Sequence, residues 1–583
     1  MILQALAAHY EDLARRGQAD RPGWGPAKVS FALVLSETGE LLQVVSLKTE
    51  QQMGKKLVTA PRLMAVPMPE IRTAGVKANF LCDNAGYLLG VDGKGKPERT
   101  RECFLAARDR HLQLLEGVDS PAARAVCAFF TRWDPAAAGA VPVLAQDLEE
   151  LKQGGNLVFQ YGPYFVHQDP AVRARWQADY DRAGEGDAQI CLVTGERSVP
   201  VSLHPSIRGF PGAQSSGAAL VSFNAPSLES YGHEQGANSP TSRQAAFAYG
   251  TALNSLIADR EHRQSYGDTT VVFWAEGGDP AYQDLLNAAL FGDGAETGVT
   301  DSQLKGIFAA LAQGRPADFS GVTLRPDQHF YILGLSPNAA RLSVRFFWQD
   351  DFGPLMAHIN KHYQQLEIIR PKNDPHGQLP LWALLRETVN QKSTDKAPSP
   401  KLTGEVLRAI LTGERYPASL LSAVTLRIRA DHQIGRGRAA ILKAYYSRNR
   451  DERCPEEVLC VELDPNHPPQ NIPFTLGRLF SVLEAIQQSA NPGINATIKD
   501  KYFNSASATP ATIFPILVNL AQKHLRKLDK GFAIHWEKQL TDLAALVGDH
   551  YPARLSLPEQ GAFQLGYYHQ TQLRYAGNKK EEH

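Results

Sequence analysis

The repeat of apolar residues changes near residue 353, and this change limits the folds that the chain can adopt. Before that point, segments with the two-residue repeat of strands alternate with segments of helical repeat. VSFALVLS (29–36) and LLQVVSLK (41–48) predict a hairpin with Gly39 in its turn. Beyond residue 353 the repeat is mainly helical, and apolar residues of the segments between 475 and 574 share one face. The predicted fold class is therefore α+β, with a mixed α/β N-terminal body followed by an all-α C-terminal helical bundle.

The same patterns place further elements along the chain. Strands are predicted over 78–84, 87–92, 156–162, 269–276, 331–338 and 341–348. Helices are predicted over 1–19, 101–133, 141–155, 169–183, 475–490, 511–528, 535–548 and 558–574. Composition divides the chain into 1–188, an N-terminal α+β domain; 189–352, a mixed α/β region with a Gly/Ser/Asn-rich loop at 209–240; 353–470, a helical and basic connecting region; and 471–583, the C-terminal helical bundle.

Charge and cysteine content narrow the class of protein. Lysine plus arginine and aspartate plus glutamate each number 61, so a basic surface for nucleic acid must be local. The 6 cysteines are sparse and lack zinc spacing, which predicts reduced thiols and neither a metal nor another cofactor. Every apolar run is far shorter than the ~18 residues of a membrane span. We expect a soluble, cytoplasmic protein with no membrane partner.

Motifs for catalysis fail on their details. GVDGKGKP (90–97) fits a phosphate loop until Pro97, where a hydroxyl residue and a helix start are needed. GAQSSG (212–217) lacks the spacing of a serine nucleophile elbow. The His233-Glu234 pair has no second histidine four residues after His233, as a zinc protease helix requires. These failures favour a binding protein over an enzyme.

The stretch GAQSSGAALVSFNAPSLESYGHEQGANSP (212–240) combines amides, hydroxyls and glycines. Amide and hydroxyl side chains hydrogen-bond to base edges and phosphates, and glycines let backbone amides approach a polyanion. Composition alone also fits a surface loop without a ligand. The candidate DNA contacts within it are Gln214, Ser215, Ser216, Asn224, Tyr231, Gln235 and Asn238.

This stretch resembles the signature region of the large-subunit family of the type I-C CRISPR Cascade. The resemblance extends to CLVTGE (191–196), LHPSIRG (203–209), ANFLCDNAGYLLGVD (78–92) and ANPGINATIKDKYFNSASATPATIFPILV (490–518). It implies a non-catalytic subunit of a crRNA-guided complex that reads a short flanking motif, the PAM, in duplex DNA. Such a subunit helps nucleate the R-loop and offers a docking surface to the helicase-nuclease, while base pairing supplies most of the specificity.

The resemblance also implies partners. These are the backbone, crRNA-end-binding and small subunits of Cascade, crRNA, target double-stranded DNA and the helicase-nuclease. The C-terminal helical part resembles the small subunit.

Basic side chains suggest where DNA is held. Lysines neutralise phosphates, and neighbouring amides can read the minor-groove edge. The duplex candidates are Lys48, Lys55, Lys56 and Lys77 with Asn79 and Asn84. Candidates for the DNA backbone or a partner subunit are Arg427, Arg429, Arg436, Arg438 and Lys443, and in the tail Lys523, Arg526 and Lys527. Solvated loops and helix faces, or an acidic partner subunit, would account for the same charges.

Two other functions remain open. A nuclease or hydrolase with an unrecognised metal site would need converging acids, for example Asp83 and Asp92 with residues of 229–234. A structural adaptor would contact protein only, and salt-sensitive binding to DNA with the flanking motif would argue against it.

Overall fold

The computed structural model divides the described residues into two compact units. It describes 1–53, 56–70, 72, 75–93, 95–182, 187–266, 268–277, 279–291, 300–371, 374, 377–394 and 396–577. Unit 1 comprises Met1–Ser206 and Val221–Leu253, and unit 2 comprises Ile207–Leu220 and Asn254–His583. The finer region boundaries predicted from composition stay a prediction.

Unit 1 is a mixed α/β body. Its strands are β1 (Trp24–Leu35), β2 (Leu41–Ser46), β3 (Thr49–Met53), β4 (Lys56–Ala60), β5 (Arg62–Pro67), β6 (Cys82–Asn84), β7 (Asn156–Tyr161), β8 (Tyr164–Phe165), β9 (Gln189–Ile190) and β10 (Arg197–Ser198). Its helices are α1 (Ile2–Arg15), α2 (Ala85–Leu88), α3 (Pro97–Leu115), α4 (Pro121–Arg132), α5 (Leu148–Gln153), α6 (Pro170–Asp181) and α7 (Arg243–Ala258), whose last residues belong to unit 2.

The central sheet of unit 1 has the order β2-β1-β7-β6, with β5 also paired to β1 and β8 to β7. β1 and β7 run parallel, and their apolar residues pack with those of α3, α4 and α6 in an aromatic-rich core. The hairpin predicted around Gly39 is confirmed by the antiparallel pairing of β1 and β2. Gly39 has φ 80°, and a Cβ there would lie 2.3 Å from the backbone nitrogen of Phe129. Only glycine fits this turn.

The strand predicted over 87–92 is wrong, because residues 87 and 88 belong to helix α2 and residues 89–92 form no strand. Asn84 caps this helix, since its Oδ1 accepts a hydrogen bond from the Gly86 amide at 3.0 Å. The apolar residues after the cap are buried in the core of unit 1. A short apolar run fits a buried helix as well as a strand, so periodicity could not decide between them.

Unit 2 contains a second sheet and the helical part of the chain. Its strands are β11 (Ser206–Ile207, whose first residue belongs to unit 1), β12 (Ala218–Ala219), β13 (Arg263–Tyr266), β14 (Thr269–Ala275), β15 (Ala317–Phe319), β16 (Val322–Leu324), β17 (His329–Asn338) and β18 (Arg341–Asp351). Its helices are α8 (Pro280–Leu290), α9 (Asp301–Ala312), α10 (Phe352–Leu366), α11 (Leu381–Arg386), α12 (Pro400–Thr412), α13 (Ala418–Asp431), α14 (Arg436–Asn449), α15 (Ile472–Ala490), α16 (Ile498–Ala508), α17 (Pro510–Leu525), α18 (Lys530–Val547) and α19 (Leu557–Gly577).

The sheet of unit 2 has the order β11-β12-β18-β17-β14-β13. Every position of β14 is buried, as expected of a central strand with both faces covered. One hydrophobic core continues from β14 and β17 through the helices to α19. The predicted fold class is therefore confirmed, with an α/β body followed by helices.

Two glycines let the backbones of α15 and α19 touch. A Cβ at Gly477 would lie 1.8 Å from the carbonyl oxygen of Phe563, and one at Gly566 would lie 2.0 Å from that of Phe474. The predicted tail helices correspond to α15, α17, α18 and α19, while α16 was not predicted. Its signal is present, because Thr497 and Asp500 form a capping box at its start.

Candidate nucleic-acid interface

Tyr231 is the most exposed of the large hydrophobic side chains described in unit 1, with 98% of its surface accessible. It lies in the loop 224–238, which also exposes Asn224 and Gln235. Tyr231 has φ 55° and Gln235 has φ 43°, a left-handed conformation that is uncommon for residues other than glycine. Such backbone strain persists only where surrounding contacts impose it.

Asn238 imposes the conformation of this loop. Its Oδ1 accepts a hydrogen bond from the Ser230 amide at 2.8 Å, and its Nδ2 donates to the carbonyl oxygens of His233 at 2.9 Å and Gln235 at 3.0 Å. The Asn238 side chain thus spans the turn that carries Tyr231. The predicted contact residue lies partly buried, in a position that holds the loop rather than at its tip.

Gly236 anchors the same loop to unit 1. Its amide donates to the carbonyl oxygen of Ser202 at 3.0 Å, and a Cβ on it would lie 1.9 Å from the carbonyl oxygen of Val201. Glu229 adds a further tie, because its Oε1 accepts from the Gln235 amide at 3.1 Å. Tyr231 is therefore presented on a fixed platform.

Gln214, Ser215 and Ser216 lie in unit 2 and form an exposed turn. The turn closes through a hydrogen bond from the Gly217 amide to the Gln214 carbonyl oxygen at 2.9 Å. β12 follows at once and pairs in parallel with β18. The sheet of unit 2 therefore holds the base of this turn.

The four lysines predicted to contact the duplex, Lys48, Lys55, Lys56 and Lys77, differ in their surroundings. Lys48 forms an ion pair with Glu150, and its Nζ lies 5.0 Å from the centre of the Phe31 ring. Lys77 is exposed. Lys55 lies outside the described residues, and so does the side chain of Lys56, whose backbone belongs to β4.

Asp83 organises the segment that carries Lys77. The buried Asp83 carboxylate accepts hydrogen bonds from the Arg72 guanidinium and from the amides of Asn79 and Asn84, both at 2.9 Å. Arg72 Nε also donates to the Lys77 carbonyl oxygen at 2.7 Å. The backbone at Lys77 is thereby fixed.

The two amides predicted to read base edges have structural partners. Asn79 is buried, and its Oδ1 accepts from the Glu70 amide at 3.0 Å. Asn84 caps α2. Burial of Asn79 keeps it from a groove while this segment holds its shape, and only Lys77 of this group presents its side chain to solvent without a described partner.

The acids suggested for a metal-dependent nuclease are also engaged. Asp83 holds the loop described above, and Asp92 Oδ2 accepts from the Thr100 hydroxyl at 2.6 Å. Within the described ranges, no three His, Cys, Asp or Glu side chains are grouped so that they could hold a metal ion.

Of the five candidate cations on α13 and α14, all but the exposed Arg429 are buried or partly buried. Arg438 is buried between Glu387 Oε2 at 3.1 Å and Asp431 Oδ2 at 2.6 Å. Arg427 also pairs with Asp431, and its hydrogen bond holds the pKa of that carboxyl below its usual value. Arg436 pairs with Asp374 at 3.0 Å. Arg438 thus links α14 to α13 and to the end of α11, whereas Arg427 pairs within α13 and Arg436 with a residue outside the helices.

The remaining cations of this region bond to carbonyl or amide oxygens. Lys443 is buried, and its Nζ donates to the Gln365 carbonyl oxygen at 3.1 Å, at the C-terminal end of α10. Burial lowers the pKa of this lysine. Arg429 Nη2 donates to Gln560 Oε1 of α19 at 2.9 Å. The carbonyl oxygens at the C-terminal end of α10 offset only part of the Lys443 charge.

Lys523, Arg526 and Lys527 form an exposed edge at the end of α17. Lys527 Nζ donates to Asn491 Oδ1 at 3.2 Å, and the other two have no hydrogen bond or ion pair with the described residues. Like Arg429, which is exposed, and unlike the buried Arg438 and Lys443, these three present their charge to solvent.

Comparison with known families identifies the chain. The model of the family described as CRISPR-associated protein (Cas_Csd1) matches residues 6–575. The chain belongs to the Cas_Csd1 family. This confirms the resemblance to the type I-C Cascade large subunits, and it makes the protein a structural component of a Cascade complex in CRISPR antiviral defence. No curated protein matches the chain.

Two features of this Cas_Csd1 protein escaped the sequence analysis. Glu229 and Gly236 hold the Tyr231 loop, and their role depends on contacts that no spacing encodes.

In the part of the chain that the structure describes, no helix is both long and apolar enough to cross a membrane.

Proposed function

We propose that this Cascade subunit recognises the PAM in duplex DNA and helps to nucleate the R-loop. The proposal includes a docking surface for the helicase-nuclease and contacts to crRNA and to the backbone, crRNA-end-binding and small subunits. Family membership supports the assembly, and the presentation of Tyr231 supports the DNA contact. Asn238 and Gly236 hold the loop so that the Tyr231 ring is exposed. The strained backbone that this requires is costly, and a contact with DNA would account for it.

Tyr231 suits a DNA contact for physical reasons. An aromatic ring stacks on any base, and the phenol hydroxyl can donate to a phosphate or base edge. The exposed side chains of Asn224 and Gln235 in the same loop add amide groups that can bond to base edges. The turn at Gln214 and Ser215 contributes similar chemistry from unit 2.

Among the candidate cations, those whose side chains face solvent are proposed to contact DNA phosphates. Of the four lysines predicted to contact the duplex, Lys77 is the described one that faces solvent, and Lys48 would have to leave Glu150 to reach DNA. In unit 2, Lys523, Arg526 and Lys527 are better placed for a displaced single strand than the cations of α13 and α14. Of the latter group, the buried Arg438 and Lys443 are proposed to act on DNA only through the shape of unit 2.

DNA binding by the reconstituted complex, with and without this subunit, tests the proposal. Binding to a guide-matched duplex is measured at two salt concentrations while the base pairs that flank the target are varied. We expect binding to require the subunit and to collapse when the flanking pairs change. Unchanged binding without the subunit would contradict a DNA-reading role and favour a protein-only adaptor. Cleavage by the purified chain with magnesium would favour the nuclease alternative.

Paired variants locate the contact. Tyr231→Ala is compared with Tyr164→Ala, because Tyr164 is another exposed tyrosine of unit 1, at 71%, on strand β8. Asn238→Ala should reproduce much of the Tyr231→Ala defect, since it removes the bonds that position the ring. The double variant should then be little worse than either single one. Additive defects would mean that Asn238 acts independently of Tyr231.

A further inference from the structure

A cysteine and a histidine meet inside unit 2, beside Lys443, a predicted DNA candidate that the fold buries. Cys460 Sγ lies 3.7 Å from His569 Nε2, which belongs to α19. His569 is buried, and its Nδ1 has no hydrogen-bond partner among the described residues. Burial lowers the pKa of His569 to about 4 and raises the pKa of the Cys460 thiol. Both groups are therefore neutral hydrogen-bonding groups at neutral pH.

Two buried cations flank this pair. Lys443 and Arg478 act electrostatically on both Cys460 and His569. Arg478 is 7% exposed; its Nε donates to Gln570 Oε1 at 3.0 Å, while its Nη1 has no partner in the described part of the chain. Among the described residues, the ammonium of Lys443 donates only to carbonyl oxygens of α10.

No described carboxylate forms an ion pair with either cation. Glu367 is the acid that acts on Lys443, and it already pairs with Lys305 at 3.2 Å. Buried charges are normally paired, because an isolated charge in a poorly polarisable interior is costly. Burial lowers the pKa of both Lys443 and Arg478, as expected when their charge is not compensated.

The chemistry of the cluster selects the ligand. Cysteine and histidine together suit a soft metal ion, but two adjacent cations would repel one. The same cations attract an oxyanion, to which the unpartnered Nη1 of Arg478 and the ammonium of Lys443 can donate hydrogen bonds. Access is available at the surface, since Cys460 is only partly buried and the next residue, Val461, is 44% exposed.

We propose that Lys443, Arg478, His569 and Cys460 form a binding site for a phosphate-type oxyanion in unit 2. The bound ion would offset the charge of the two cations and connect α14, α15 and α19. The site is independent of the DNA-reading role proposed above.

Thermal unfolding of the full chain provides the first test. Sodium phosphate is titrated against sodium chloride at matched ionic strength, and we expect the Tm to rise and then saturate. Arg478→Met, which keeps most of the side-chain volume, should abolish this rise. Arg408→Met is the matched control, because Arg408 is an exposed arginine of α12 paired with Glu414, and it should keep the full rise. A wild-type Tm that does not respond to phosphate would overturn the proposal.

Alkylation of Cys460 provides a second test that needs no variant to fold. Iodoacetamide labelling of the wild-type chain is followed by mass spectrometry, with Cys127, the other partly buried cysteine, as internal control. At a phosphate concentration about ten times the Kd, labelling of Cys460 should slow roughly tenfold while Cys127 is unaffected.

A short oligonucleotide in place of phosphate identifies the source of the oxyanion. Protection by phosphate alone indicates a free ion, and protection by both indicates a nucleic-acid phosphate; either supports the site. Equal labelling of Cys460 with and without both probes would refute it.

Discussion

A dense group of basic residues usually indicates a surface that binds nucleic acid. The basic helices α13 and α14 and the loop 224–238 show the opposite arrangement. The helices carry a dense group of cations, yet Arg438 and Lys443 are buried among partners from the same unit. The loop holds fewer charges, yet it presents Tyr231 to solvent on a fixed backbone. A cation whose hydrogen bonds are already made contributes to folding, so exposure is a better guide to a binding surface than charge content.

Replacing Arg438 with methionine should have the largest effect. The change removes bonds to Glu387 and Asp431 inside unit 2 and leaves two carboxylates without this partner. We expect the free energy of unfolding to fall by about 3 kcal/mol. Chemical denaturation measures it, and Arg408→Met should stay within about 0.5 kcal/mol. DNA affinity per folded molecule should be unchanged. A stable Arg438→Met variant with weakened DNA binding would instead make this region a contact surface.

Lowering the pH should destabilise the protein through a buried histidine of unit 1, by an amount comparable to the effect of Arg438→Met. His111 is fully buried; its Nε2 accepts from the Leu81 amide at 2.8 Å, and burial lowers its pKa to about 4. The unfolded chain binds this proton near pH 6.5, so stability should fall as the pH decreases from 6.5 to 4. The loss attributable to His111 is at most about 3 kcal/mol. The difference between wild type and His111→Gln isolates it, and parallel pH profiles would show that His111 is not responsible.

Tyr231→Ala should leave stability nearly unchanged but weaken binding to DNA that carries the flanking motif. Loss of one stacked base costs about 1–3 kcal/mol, or roughly 5-fold to 150-fold in Kd. Fluorescence anisotropy with the reconstituted complex measures the change, and Tyr164→Ala should bind like wild type. An equal loss of DNA affinity in both variants would indicate a general surface effect. It would also remove the contrast between the loop 224–238 and the helices α13 and α14.

Lys77→Ala should have the smallest effect. One lost phosphate contact reduces the slope of log K against log salt concentration by about 0.9, with little dependence on sequence. Lys28→Ala is the matched control, because Lys28 is an exposed lysine on β1 of the same unit. The slopes are compared over a salt titration, and identical slopes for both variants would exclude Lys77 from the DNA backbone.

Local patterns predicted much of the fold. The hairpin at Gly39, the strands over 331–338 and 341–348 and the tail helices follow from periodicity and turn residues. The end of helix α2 was mistaken for the start of a strand because its cap and its burial, not its pattern, decide its structure. The capping box of α16 was available in the sequence but was not used.

The candidate site was less predictable because exposure depends on distant residues. Arg438 finds Glu387 about 50 positions away, and Arg429 finds Gln560 more than 100 positions away. Arg438 is buried whereas Arg429 stays exposed, and the sequence alone does not distinguish the two. Tyr231 was selected for its chemistry, whereas the exposure and the backbone strain that distinguish it from other tyrosines appear only in three dimensions.

The left-handed backbone at Tyr231 also bears on how this protein would respond to selection for heat resistance. A side chain in that conformation costs about 1–2 kcal/mol, which glycine would avoid. A library screened only for survival at high temperature should therefore discard this tyrosine in favour of glycine or asparagine. A library screened for defence against phage should keep it. Residue 231 is where the two screens would diverge, and an engineered thermostable variant should leave it untouched.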